Sequence, residues 1–342
     1  MRVHHTLVTL VLSVGVLTAT NGSSARSAEF SAIAAQSAAA PAAQRPATPS
    51  SQQAAPATPR AATPQPTGDV APPRENGSVR FAIIGDTGTG TKSQYEVGAQ
   101  LMKARQVFPF DFIIMVGDNI YGSERPQDFV QKFEKPYQAL LSAKVPFYAA
   151  LGNHDDPTQR YYKPFNMNGE RFYTYTKGEA RFFVLDSNYM DQTQLKWLED
   201  QLSKSNNRWK VAYFHHPLYS SGGRHGSETD LRTQVEPLFL RYGVDVVFAG
   251  HEHFYERLKP QKGIYYFTEG GAAKLAKGDI LKTPLTAVGF DTDNSFMLAE
   301  LGRDAMQFQT LTRVGKRIDS GTLPLVPDPK KLPADKSSSR SQ

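Results

Sequence analysis

The ten residues Phe112-Ile-Ile-Met-Val-Gly-Asp-Asn-Ile-Tyr121, FIIMVGDNIY, decide the fold. Phe112–Val116 is a short apolar run rich in β-formers, the pattern of a strand buried on both faces. It stops at Gly117 and gives way at once to Asp118, Asn119 and Tyr121. The same grammar recurs along the chain. Val79–Ile84 runs into Gly85-Asp86, and Phe147–Ala150 into Leu151-Gly152-Asn153-His154. Lys210–Phe214 is followed by His215-His216, and Val244–Phe248 by Ala249-Gly250-His251-Glu252-His253. Arg181–Leu185, ending in Asp186, and Ile264–Thr268 complete the set of expected strands. A glycine precedes Asp86, Asp118, Asn153 and His251, where a sharp turn would aim the next side chain. Gln94–Arg105, Phe129–Leu141 and Gln192–Leu202 have helical periodicity, and Phe296–Leu301 with Ala305–Thr312 reads as a closing hairpin. Strands alternating with helices, some of them antiparallel, make this an α/β fold.

Ligands of open α/β sheets bind beyond the carboxyl ends of the strands. Five such ends here carry Asp, Asp, Asn, His and His-x-His. Carboxylate, amide oxygen and imidazole without thiolate suit iron, manganese or zinc, and the chain has no cysteine. Seven donors are too many for one tetrahedral ion but fit two metals about 3.5–4 Å apart that share a carboxylate. In an extended segment His251 and His253 would face one side and Glu252 the other. Two known patterns fail. Tyr255 stands where a zincin needs its second histidine, and in Ile83–Ser93, IIGDTGTGTKS, Thr91 displaces Lys92-Ser93 from the phosphate-loop register. Lys92 and its glycines are therefore read as structural.

On these motifs the chain resembles the calcineurin-like metallophosphoesterases, and among them the small single-domain purple acid phosphatases. The likeness spans most of Val79–Arg313. It implies a four-layer α/β/β/α sandwich of two mixed sheets flanked by helices. It also implies that Asp86, Tyr121 and His253 hold one metal, that Asp118 bridges, and that Asn153, His215 and His251 hold the second. Tyr121, three residues after the bridging acid, falls where that subfamily places its iron-binding tyrosine. Two metal ions are expected, Fe(III) with a divalent iron, zinc or manganese. Asp86, Asp118 and a Tyr121 phenolate would balance three of such a pair's five charges and leave a centre that attracts phosphate. The expected activity is hydrolysis of small phosphate monoesters through attack by a metal-bound hydroxide, with His154 over the substrate. His225 is by resemblance a second such histidine, or else a loop residue. His216 is read as a loop histidine, Asp186 as a turn former. The alternatives are a phosphodiesterase or nucleotide hydrolase on the same site, or a non-catalytic metal- or phosphate-binding surface protein.

The remaining sequence bears on partners and location. Of the net charge of +6, residues 1–74 contribute five basic against two acidic groups and residues 316–342 six against three. The segment between is neutral, without the basic stripe of a nucleic-acid binder. Residues 1–28 have a basic start, an apolar run Leu7–Leu17 and small residues, the design of an export signal rather than a membrane span; an uncleaved anchor is the other reading. Residues 29–76, rich in Ala, Pro, Ser, Thr and Gln, and 316–342 are expected to be disordered. The catalytic domain is expected over 77–315, exported, with oligomeric state open.

Overall fold

The computed structural model describes residues 74–325. The expected export signal, most of the linker and residues 326–342 lie outside them. In this unit β1 (Val79–Ile84), β2 (Phe112–Met115) and β3 (Phe147–Ala149) run parallel. They share a six-stranded sheet with β11 (Ser295–Leu301), β12 (Ala305–Thr312) and β13 (Arg317–Pro324), in the order β13-β12-β11-β1-β2-β3. The second sheet has seven strands. Its parallel centre is β5 (Ala180–Val184), β6 (Trp209–Tyr213), β7 (Val246–Ala249) and β9 (Tyr265–Glu269). Antiparallel β4 (Tyr173–Lys177) closes one edge, and β8 (Tyr255–Leu258) with β10 (Thr286–Phe290) the other.

Strand alternation makes the layers. Phe81 and Ile83 of β1 face a core they share with Val211 and Tyr213 of β6 and with Val246 and Phe248 of β7. Ala82 and Ile84 point the other way, against Val97 and Leu101 of α1 (Lys92–Val107). Ala212 and Val247 likewise pack on Leu198 of α4 (Gln192–Ser203) and Phe239 of α5 (Thr229–Tyr242). Helix, sheet, sheet and helix follow one another, as expected for the four-layer α/β/β/α sandwich. The central strands of both sheets are buried on two faces, which is why they read as unbroken apolar runs.

Four expectations are corrected. Phe129–Leu141 is not one helix: α2 (Pro126–Phe129) leads into a π-helical turn at Val130–Glu134 before α3 (Gln138–Ser142). Helix α5, with Pro237 in its interior, was not expected. The domain does not end at 315. Strand β13 pairs along the length of β12, and its Asp319 accepts hydrogen bonds from Tyr255 Oη and Arg257 Nε, each at 2.7 Å. An edge strand needs only one apolar face, and Ile318 and Leu323 supply it against the core between the sheets, so its sequence looks like a polar tail. At the other end the domain begins before residue 77, since the Glu75 carboxylate accepts from the Arg303 backbone N–H at 3.1 Å.

Candidate metal centre

The loops that leave β1, β2, β3, β6 and β7 meet and are laced by their backbones. Asp86 N–H donates to Gly117 O at 3.0 Å, Tyr121 N–H to Gly88 O at 2.8 Å, and Gly250 N–H to His215 O at 2.9 Å. The glycines act differently from expectation. Only Gly117 takes a positive φ, 97°; the left-handed residues are the functional ones, Asp86 (53°), Asp118 (52°) and His251 (70°). Gly250 instead supplies room, because a Cβ there would sit 2.7 Å from Asp86 Oδ2. Left-handed backbone at a non-glycine residue costs roughly 1–2 kcal/mol, so three such residues at one place mark a site that the surrounding fold holds under strain.

Two donor groups result. In the first, Tyr121 Oη donates to Asp86 Oδ1 at 3.0 Å and lies 3.3 Å from His253 Nε2, itself 3.4 Å from Asp86 Oδ1. Oxygen and nitrogen atoms of Asp86, Asp118 and His253 fall within 4.8 Å of one another. In the second, Asn153 Oδ1 lies 2.9 Å from His215 Nε2 and 3.0 Å from His251 Nδ1, and these two nitrogens are 3.2 Å apart. Asp118 Oδ1 stands 3.4 Å from His215 Nε2, and so joins the groups. All seven residues expected to bind metal are therefore brought together. The extended reading of His251–His253 is corrected: the left-handed His251 turns the chain, so its ring joins the second group while His253 joins the first.

The donor chemistry fits cations. His215 Nδ1–H donates to Val116 O at 3.0 Å, so in the neutral ring Nε2 carries a lone pair. That lone pair faces the carbonyl of Asn153, a carboxylate oxygen of Asp118 and a second imidazole, a convergence of electron pairs that a metal ion resolves. Burial, then the neighbouring histidines, pushes His251 down to about 2; burial, then His215, pushes His216 down to about 3. Burial and then the Lys274 ammonium also lower His253. All three rings are neutral, the form that binds metals. Burial foremost, with the Asp118 charge adding to it, drives Asp86 well above the carboxylate range despite His215. Burial would raise Asp118 too, but His215, Tyr121 and His154 bring it below its ordinary value. Burial, then Asp86 and Asp118, raises Tyr121, so without a cation its phenol keeps the proton. The only ion pairs of Asp86 and Asp118 among the described residues are with His253 and His215, leaving two buried carboxylates short of positive charge.

All six histidines of residues 74–325 gather here. His154 N–H donates to Asp118 Oδ1 at 3.0 Å, and its ring centroid lies 5.0 Å from that of Tyr121. His225, exposed on its loop, packs against His251 at 4.2 Å between centroids. His216, read as a loop residue, is instead 4.5 Å from His251 and belongs to a group with His215 and His251. Asp186 does close a turn, accepting from Asn188 N–H at 3.1 Å. Lys92 is a solvent-facing residue in the first turn of α1, 3.5 Å from Glu96. Three residues went unnoticed in sequence. Lys274 holds its ammonium 4.3 Å from the Tyr121 ring centroid and adds positive charge there. Buried Asp155 accepts from the N–H groups of Gly152, Asn119 and Ile120 at 2.8–3.0 Å and so fixes two ligand loops to each other. Glu252 accepts from Gly226 N–H at 2.6 Å and tethers the loop of His225. Only Asp155, beside His154, carried a signal, the doubled acid of NHDD.

The calcineurin-like phosphoesterase family model matches residues 79–255, just over half of the chain. The chain belongs to that family. Within it this phosphoesterase is purple acid phosphatase-like, and its relatives place it among the metal-dependent hydrolases of phosphoric esters. It is 28% identical over 249 residues to purple acid phosphatase 17 of Arabidopsis thaliana, covering 62% of this chain and 73% of the relative. With human tartrate-resistant acid phosphatase type 5 it shares 24% over 297 residues, 72% of this chain and 91% of the relative. The fold matches the purple acid phosphatase PPD1 of yellow lupin seeds (TM-score 0.61, 18% identity, 72% of this chain and 54% of that one). It also matches GAP50, the anchor in the inner membrane complex of Plasmodium (TM-score 0.63, 21% identity, 74% and 90%). At these identities the two structures speak for the fold alone. No helix of the described residues is long and apolar enough to cross a membrane.

Proposed function

We propose that this phosphoesterase is an exported phosphomonoesterase with two metal ions. Asp86, Tyr121 and His253 hold the first, Asp118 is shared, and Asn153, His215 and His251 hold the second. The observation that carries this reading is the position of His215 Nε2, 2.9–3.4 Å from Asn153 Oδ1, His251 Nδ1 and Asp118 Oδ1. Bound metals supply water activation near neutral pH and polarise phosphoryl oxygens. The chain's own groups position and protonate. The tie between the His154 N–H and Asp118 holds the exposed His154 ring beside Tyr121, within reach of an ester oxygen to which it donates a proton. His225, braced on His251, contacts a second phosphoryl oxygen. Tyr121 favours Fe(III) in the first position, because a phenolate ligand goes with a trivalent ion, whereas two divalent ions would sit better with a neutral phenol. Residues 1–28, a leader in composition, support export.

The test is hydrolysis of a chromogenic phosphate monoester against its bis-ester by fully metallated protein. A monoester preference supports the proposal. A bis-ester preference assigns the site to a phosphodiesterase, and no turnover over a broad pH range makes the chain a binding protein.

A further inference from the structure

Beside the histidine cluster lies a cavity of about 410 Å³, within the ~300–1,000 Å³ typical of small-molecule sites. Four segments wall it: Leu151–Pro157 after β3, Asp186–Tyr189 after β5, His216 after β6, and Glu228 with Leu231 at the start of α5. Asn153 and His216 belong both to this cavity and to the cluster. An ester with its phosphorus at the cluster can therefore extend its alcohol portion into the adjoining cavity.

The walls are selective in charge. Asp186 is occupied: Arg171 Nη1 donates to it at 2.6 Å and Asn188 N–H at 3.1 Å. The Ser187 hydroxyl accepts the His216 backbone N–H at 3.1 Å and lies 2.9 Å from His216 Nδ1, joining the cavity wall to the cluster. The half-buried carboxylate of Glu228 forms neither a hydrogen bond nor an ion pair with any described residue, and no lysine or arginine lines the cavity. Its one uncommitted charge is thus negative, set among hydroxyl and amide groups.

We propose that this cavity is the leaving-group subsite, and that it takes an uncharged polyhydroxylated alcohol and rejects one bearing further phosphates. Glu228 accepts hydroxyl donors, and its charge repels a second phosphate. The inference rests on the phosphomonoesterase reading.

The test compares kcat/KM of the metallated full chain for glucose 6-phosphate, inositol hexakisphosphate and a chromogenic aryl phosphate. Wild type is set against Glu228→Lys and Glu228→Gln. Glu228 precedes α5 but makes no side-chain cap, so neither substitution removes a helix-end hydrogen bond. Wild type is expected to prefer glucose 6-phosphate to inositol hexakisphosphate. Glu228→Lys should shift that ratio toward the polyphosphate by about tenfold at low salt, Glu228→Gln by less, and both shifts should shrink as salt screens the charge. A wild-type preference for the polyphosphate, or a ratio unmoved in Glu228→Lys, overturns the subsite. If wild type hydrolyses none of the three esters, the phosphomonoesterase reading itself has failed.

Discussion

Replacing Asp86 by Asn should raise the stability of the metal-free protein and lower that of the loaded protein. Asp86 is fully buried, and its carboxylate atoms lie within 4.8 Å of those of Asp118 and of His253 Nε2. Two like charges at that distance repel by about 3.5 kcal/mol at an effective dielectric constant of ~20. Holding a carboxyl of ordinary pKa about 3.8 protonated at neutral pH instead costs about 4 kcal/mol at ~1.36 kcal/mol per unit. Either route taxes the apo-protein similarly. The amide weakens the hydrogen bonds from His251 N–H and Tyr121 Oη, at 2.8 and 3.0 Å, by about 1–2 kcal/mol. The net gain is about 2 kcal/mol, or about 4–8 °C in Tm for a domain of this size. Because the folded pKa of Asp86 is raised, its stability is fully present below 3.8 and is lost as pH rises through the folded value. The advantage of Asp86→Asn should thus fade on acidification. With metals bound the carboxylate is the better ligand and the order reverses. Calorimetry of chelated and reloaded protein reads both signs. A variant less stable than wild type in chelator at neutral pH, or one that shifts the same way in both states, would refute the reasoning.

Three further outcomes are expected. Tyr121→Phe should abolish a visible phenolate–iron charge-transfer band, read by absorption spectroscopy, if Fe(III) occupies the first position. His154→Ala should lower kcat by about 10²–10⁴-fold, the range of a lost general acid, with metal content unchanged by elemental analysis. Asp319→Ala leaves the Arg257 guanidinium without its partner at 2.7 Å and should cost about 2–4 kcal/mol in urea unfolding; no loss would mean that β13 does not belong to the domain.

The parts of the fold legible in sequence are those buried on two faces. Phe112–Met115 and Trp209–Tyr213 are fully buried, and their apolar runs announced them. Edge strands escaped notice. Tyr173–Lys177 is half-buried throughout except at exposed Thr176, Thr286–Phe290 alternates between half-buried and exposed, and Arg317–Pro324 looks like a tail because only one face is apolar. Helix α5 is masked in sequence by its interior Pro237, although Leu231, Val235, Leu238, Phe239 and Tyr242 form an apolar stripe at helical spacing. The proposed ligands are legible because they follow the ends of strands, where composition changes abruptly. The residues that hold or charge the site were not. Lys274 reaches Tyr121 only because the loop after β9 returns to Asp86, its N–H donating to Asp86 O at 3.2 Å, and Glu252 looked idle between two histidines. His216 looks redundant in sequence because its neighbour fills the motif, although the strand end at β6 presents both rings to His251.

The most direct test of the two-metal account is elemental analysis of the purified chain, wild type beside Asp118→Asn, each after dialysis against weak chelator. Two ions per wild-type chain, with the variant losing at least one of them together with phosphatase turnover, is the predicted result. Full turnover by protein carrying less than one ion per chain, or an Asp118→Asn variant that keeps both ions and full activity, would contradict it.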